Sequence, residues 1–157
     1  MKFPSKIIFK FIDKDTKKPV EDIVSELVLY ARRKNDYYSD PKISDKNGNV
    51  FFTRDDCLET IQLSQEHFIM DYASSLEECL AKISLQVLDI DRIKFTIENF
   101  KKFEMFWKKH SIYRHKDKFL NKLKMAKNRL YKPMVFDFEE SSLKEESVVE
   151  IEIERNK

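Results

Sequence analysis

The sequence predicts an α+β fold: an antiparallel β-sandwich or sheet carrying an inserted helical hairpin. Three observations predict it. The segments KIIFKFI (6–12) and VVEIEIE (148–154) alternate side-chain character in the way of strands with one buried face. The chain's one glycine, Gly48, follows Asn47 between two β-prone pieces, and Asn-Gly in that setting is a strong hairpin signal. From Asp91 to Leu130 the apolar residues instead recur every three to four positions, as on amphipathic helices.

With 157 residues, one domain is expected, its β core formed by 6–90 and 133–155 and its helical insertion by 91–130. In the first strand Ile7, Phe9 and Phe11 share one parity and form the expected buried face, while Lys10 falls on the other. DKDTKKP (13–19) follows, where Asp and Thr side chains stabilise turns and Pro19 cannot donate to a ladder. IVSELVLY (23–30) is a second strand, and RRKNDYYSDP (32–41) is loop-like. KISDKNGNVFF (42–52) gives two short extended pieces around Asn47-Gly48, expected as a type I′ hairpin because that turn needs positive φ at both central residues.

Thr53 is placed to cap a helix whose first turn holds Asp55 and Asp56, where the helix dipole favours acids. HFIMDYA (67–73) has the character of a short strand, and Ser74 or Ser75 caps a short helix or turn over LEECLAK. ISLQVLDI (83–90) alternates as a strand with Ile83, Leu85 and Val87 on one face. A helix from Asp91 to about His110 follows, with Ile93, Ile97, Phe100 and Trp107 on its apolar stripe. A second helix runs from about His115 to Leu130 on Phe119, Leu120, Leu123, Ala126 and Leu130, and the short connection between the two favours an antiparallel pair. Pro133 ends the second helix, and MVFDFEE (134–140) and VVEIEIE supply the last two strands.

The order FKFIDKDTKKPVED, ELVLYARR, KISDKNGNVFF resembles the start of a transthyretin-like or carboxypeptidase-regulatory-like β-sandwich. The matching residues are Asp13, Thr16, Pro19, Val20, Ser44, Asp45, Gly48, Val50 and Phe52, within about residues 6–52. In that family a first strand enters an Asp/Thr turn, then Pro-Val, a second strand and a hairpin. Glu21 and Asp22 stand where the family usually has a glycine, and the predicted helices displace its later strands. The resemblance implies a sandwich used for binding, display or chaperoning of other domains, with no match to the hydrolase members.

Several chemistries are weighed against by residue content. One glycine excludes Walker loops and dinucleotide fingerprints, which need backbone close to phosphate. Asp45, Asn47 and Asn49 space like calcium ligands, but the glycine falls two positions early for such a loop, so the turn reading is preferred over metal. His67, His110 and His115 lack zinc-type spacing, and Cys57 and Cys79 are expected as free thiols, buried small residues in a cytoplasmic protein. The serines near 74 and 141 lack nucleophile-elbow glycines, and Glu139 and Glu140 lie in a solvated charged stretch. No enzyme, no cofactor and no membrane span are expected.

Charge is the remaining signal. The formal net charge is only +2, yet basic residues dominate from Lys101 to Lys132 and acidic ones from Asp137 to Glu154. Lysines coating the solvent side of two helices, neutralised by the acidic final strands, account for much of that pattern. The expected function is a protein-interaction module (an adaptor, an immunity-type inhibitor or an assembly component) that meets an acidic surface of its partner. Its contact surface is expected on the helical hairpin at Trp107, Lys108, Lys109, Tyr113, Arg114, Lys116 and Lys118, since Trp, Tyr and Arg are the usual anchors of interfaces. The alternative is nucleic-acid binding by the same basic stretch, 101–132, with Trp107, Tyr113 and Tyr131 stacking on bases.

Overall fold

The computed structural model describes residues 5–31, 36–39, 41–56, 80–99, 116–139, 144–145 and 148–157. These contain β1 (Lys6–Asp13), β2 (Val24–Ala31), β3 (Asp36–Tyr38), β4 (Lys42–Ile43), β5 (Asn49–Thr53), β6 (Leu80–Val87), α1 (Ile90–Glu98), α2 (Lys116–Met125), a 3₁₀ turn (Asn128–Leu130), β7 (Met134–Phe138) and β8 (Val148–Ile153). The fold is mixed α+β with two sheets. One has the order β5-β1-β8, and the other β3-β2-β6-β7, with β4 pairing the same strand, β2, as β3 does. Among the described residues the strand pairings are antiparallel except β1–β8, which is parallel, from Ile8↔Val148 to Asp13↔Ile153.

The alternation of β1 is realised as expected: Ile7, Phe9 and Phe11 are fully buried, with partly exposed residues between them. They join one apolar cluster that draws on both sheets, including Phe52, Ile151 and Ile153 from the first and Leu27, Leu29, Ile83 and Leu85 from the second. Phe9 links the sheets: its ring centroid lies 6.1 Å from that of Phe52 and 5.3 Å from that of Phe138. Each such side chain contributes about 1.5–3 kcal/mol when fully buried. A second cluster holds Val24 of β2, Ile90 and Ile93 of α1, Leu123 of α2 and Leu88, which seats both helices against β2.

Three expectations need correction. The Asp45–Asn49 turn is closed by Asp45 N donating to Asn49 O at 3.0 Å, but its arms do not go on to pair as a hairpin: β4 pairs with β2 and β5 with β1, so the turn carries the chain from one sheet to the other. Nor is it type I′. Asp45 O accepts from Gly48 N at 2.9 Å, and only Gly48 takes positive φ, +77°, as in a type I turn closed by a left-handed residue. A Cβ at Gly48 would also lie 2.6 Å from Phe11 O, so close approach to β1 and backbone geometry both demand glycine. Finally, α2 stops at Met125, short of Leu130. Lys127 N donates to Asp22 O instead of continuing the helix, and Asn128 is buried under β2.

Thr53 does cap a helical turn: its Oγ1 accepts from Asp56 N, and Asp56 Oδ2 accepts from Thr53 N at 2.8 Å, a reciprocal capping box. The predicted strand 67–73 and the connection between the two long helices lie outside the described residues, as does the start of the helix or turn expected over LEECLAK; its end, 80–82, is instead the beginning of β6. No helix among the described residues is long and apolar enough to cross a membrane.

Candidate functional site

The site grows from the end of β1. Asp13 closes that strand on its buried parity, so its carboxylate enters the fold and is only 2% exposed. A buried carboxylate is costly without donors, and here every side of it is supplied. Oδ1 accepts the backbone N–H groups of Asp15 at 2.9 Å and Thr16 at 3.1 Å, which shapes the turn into β2 and lets Lys17 take a φ of +60°. Oδ2 accepts the Tyr131 hydroxyl at 2.9 Å and Arg155 Nε at 2.7 Å. The Arg155 guanidinium, joined by the Thr16 amide and the Tyr131 hydroxyl, holds the Asp13 carboxyl well below the usual carboxylate range. Burial, followed by its bond to Asp13, pushes the Tyr131 phenol up.

Tyr131 and Arg155 reach this point because their backbones pair. They form an antiparallel bridge, Lys132 N donates to Glu154 O at 2.8 Å, and Asn156 N donates to Leu130 O at 2.9 Å. The Arg155 guanidinium also lies 5.8 Å from the Tyr131 ring centroid. Tyr131 is 3% exposed and Arg155 keeps 57% of its side chain in solvent.

Above this group opens a cleft of about 620 Å³. Lys18, Lys46 and Lys127 stand with Arg155 on its walls; Pro19, Val20 and Leu130 give it an apolar side. Its two acids are both engaged, Asp13 by Arg155 and Glu21 by Lys127 at 3.4 Å. Lys18 and Lys46 are exposed and, among the described residues, have no ion-pair partner. The cleft can therefore hold an anionic group beside an apolar one. Among the described residues no group of three or more His, Cys, Asp or Glu side chains could hold a metal ion. In the turn at Asp45, Oδ1 accepts the backbone N–H groups of Asn47 and Asn49, both at 2.9 Å.

Of the contact residues read from the sequence, Trp107, Lys108, Lys109, Tyr113 and Arg114 lie outside the described residues, as do all three histidines and both cysteines. Lys116 and Lys118 fall at the start of α2, where the backbone alone is described. Tyr131, considered as a stacking platform, is a buried hydroxyl donor instead. At the end of the basic stretch Lys127, Arg129 and Lys132 pair with Glu21, Asp91 and Glu154. The Lys132–Glu154 pair is neutralisation of the basic stretch by the acidic C-terminal segment, whereas Glu152 pairs with Lys17, which lies outside that stretch.

Asp13 and Arg155 were not legible as a pair. The Asp-x-x-Thr pattern marks the local turn, but the partners of the carboxylate lie 118 and 142 positions away.

The chain matches no family model, and no curated protein sequence matches it. A solved structure, a 9R-lipoxygenase from Cyanothece PCC8801, is 16% identical, with a TM-score of 0.34. The likeness covers 54% of this chain and spans 10% of the lipoxygenase, too little to carry an argument about fold or activity.

Proposed function

We propose that the chain is a non-enzymatic protein-interaction module of the cytoplasm that receives an acidic segment of a partner protein in the cleft beside Arg155. The observation that carries this reading is the charge of the cleft walls: among the described residues four cations, Lys18, Lys46, Lys127 and Arg155, line it against two acids, Asp13 and Glu21, which pair with Arg155 and Lys127 and leave Lys18 and Lys46 in excess. Complementary charge steers such a partner and orients it, while Pro19, Val20 and Leu130 offer apolar contact. The ion pairs of Arg129 and Lys132, outside the pairs that line the cleft, weigh against nucleic acid on the basic stretch, since those cations already face carboxylates. In architecture we propose a β-sandwich of the transthyretin-like kind with a helical hairpin inserted between β6 and β7. The apolar cluster shared by the two sheets supports it, as does the position of both helices between those strands in the chain.

Fluorescence anisotropy with a labelled glutamate-rich peptide tests the reading. The wild type is expected to bind in a salt-sensitive way. The double reversal K18E/K46E should weaken binding about tenfold or more, the equivalent of roughly 1.4 kcal/mol. Equal affinity in the reversal variant rejects the cleft. Binding of a mixed-sequence oligonucleotide in place of the peptide replaces the reading with the nucleic-acid one.

A further inference from the structure

Resting on that reading, the geometry points to Arg155 as a carboxylate clamp: one carboxylate of the acidic segment docks on the outer edge of its guanidinium. The arginine is built for the task. Its tether to Asp13 is made through Nε, at 2.7 Å, so the terminal nitrogens are not consumed by that bond. Asp13 is itself immobile, held by two backbone amides and the Tyr131 hydroxyl, and is nearly removed from solvent. The Tyr131 ring adds a second surface beside the guanidinium. An exposed arginine ordinarily loses much side-chain freedom on binding; this one is held in place before any ligand arrives, yet it lines the cleft and more than half of its side chain remains exposed.

A planar guanidinium edge matches a carboxylate with two parallel N–H···O bonds, which a lysine cannot copy. Lys18 and Lys46 act differently. They are point charges on the rim, able to attract further acids without fixing their orientation. The clamp therefore recognises one carboxylate geometrically, and the lysines recognise its neighbours by charge. That carboxylate can come from an Asp or Glu side chain or from a chain terminus; the chemistry is the same.

The test uses the full chain and three forms of one glutamate-rich peptide: free C-terminus, amidated C-terminus, and glutamates replaced by glutamine. The variant R155K keeps the charge and removes the fork. It is expected to bind the parent peptide at least about tenfold more weakly than wild type, whereas a rim lysine-to-arginine change should not. Loss on amidation assigns a terminal carboxylate; loss on glutamine replacement assigns side chains. Because R155K could disturb the tether, a second readout uses wild type alone: the ¹⁵N side-chain resonance of Arg155 should shift on adding the parent peptide. Wild-type binding with an unmoved Arg155 resonance, or with R155K equal to wild type, overturns the clamp and leaves the acidic-partner reading standing. No binding of the parent peptide by wild type overturns both.

Discussion

At the scale of single residues, two buried carboxylates define opposite uses of the same chemistry. Asp13 is surrounded by donors, and its charged form is favoured in the folded state. Its contribution to stability is present above the ordinary carboxylate pKa and fades as pH falls below it, because the unfolded chain then takes up the proton first. Glu26 lies in β2 on the parity of Val24 and Val28, opposite the core-facing Leu27 and Leu29, and is 2% exposed. Burial raises its pKa from 4.5 to about 8. Between those values the folded state holds a proton that the unfolded state has released, so stability falls as pH rises, by about 1.4 kcal/mol per unit at most. Glu26→Gln keeps the shape without the titration. Urea denaturation at pH 5, 6, 7 and 8 should show the wild type losing stability across the series and the variant staying nearly level from this source. Parallel profiles for the two proteins would reject a protonated Glu26.

At the scale of elements, local signals carried the most. Parity placed Ile7, Phe9 and Phe11, and Ile83, Leu85 and Val87, on buried faces because a half-buried strand admits only one assignment of its sides. The Thr53 cap was equally local. What could not be read was which strand meets which: Asn47-Gly48 fixes a reversal of direction but not whether the arms pair, and here they go to different sheets. The end of α2 failed for a related reason. Apolar spacing continues to Leu130, but Asn128 finds better partners elsewhere: its Oδ1 accepts from Val24 N at 2.8 Å, and its Nδ2 donates to Val24 O at 2.8 Å and to Leu88 O at 2.9 Å. The amide side chain thus completes the ladder at the start of β2, a contact across 104 positions that periodicity cannot reveal. Asn128→Ala should cost about 2–4 kcal/mol, since buried backbone groups are left without partners. Equilibrium denaturation measures it, and a loss below about 0.5 kcal/mol would mean that water replaces the amide, against the burial argued above.

At the scale of the whole molecule, the sheet containing β1 is assembled from distant parts of the chain. β1 lies between β5 and β8, and β8 pairs with it over six residues, Ile8↔Val148 to Asp13↔Ile153. The same C-terminal stretch supplies Ile151 and Ile153 to the main core, Arg155 to Asp13, and Asn156 to the carbonyls of Arg129 and Tyr131. The charge pattern and the candidate site therefore depend on one closure: the N-terminal strand must be met by the C-terminal one before Asp13 has its partner or the cleft has its walls. Removing residues 148–157 would strip the edge of β1, expose its apolar face and leave a buried carboxylate without its cation. That loss reaches the packing of Phe9 and Phe11, whose burial no local contact replaces. The truncated chain is expected to lose cooperative unfolding in urea and its near-ultraviolet circular dichroism, while Arg155→Lys, which keeps β8 and its pairing with β1, retains both. A truncated chain with a sharp transition near the wild-type midpoint would show that the two sheets hold together without β8 and that the cleft is not built by closure of the chain ends.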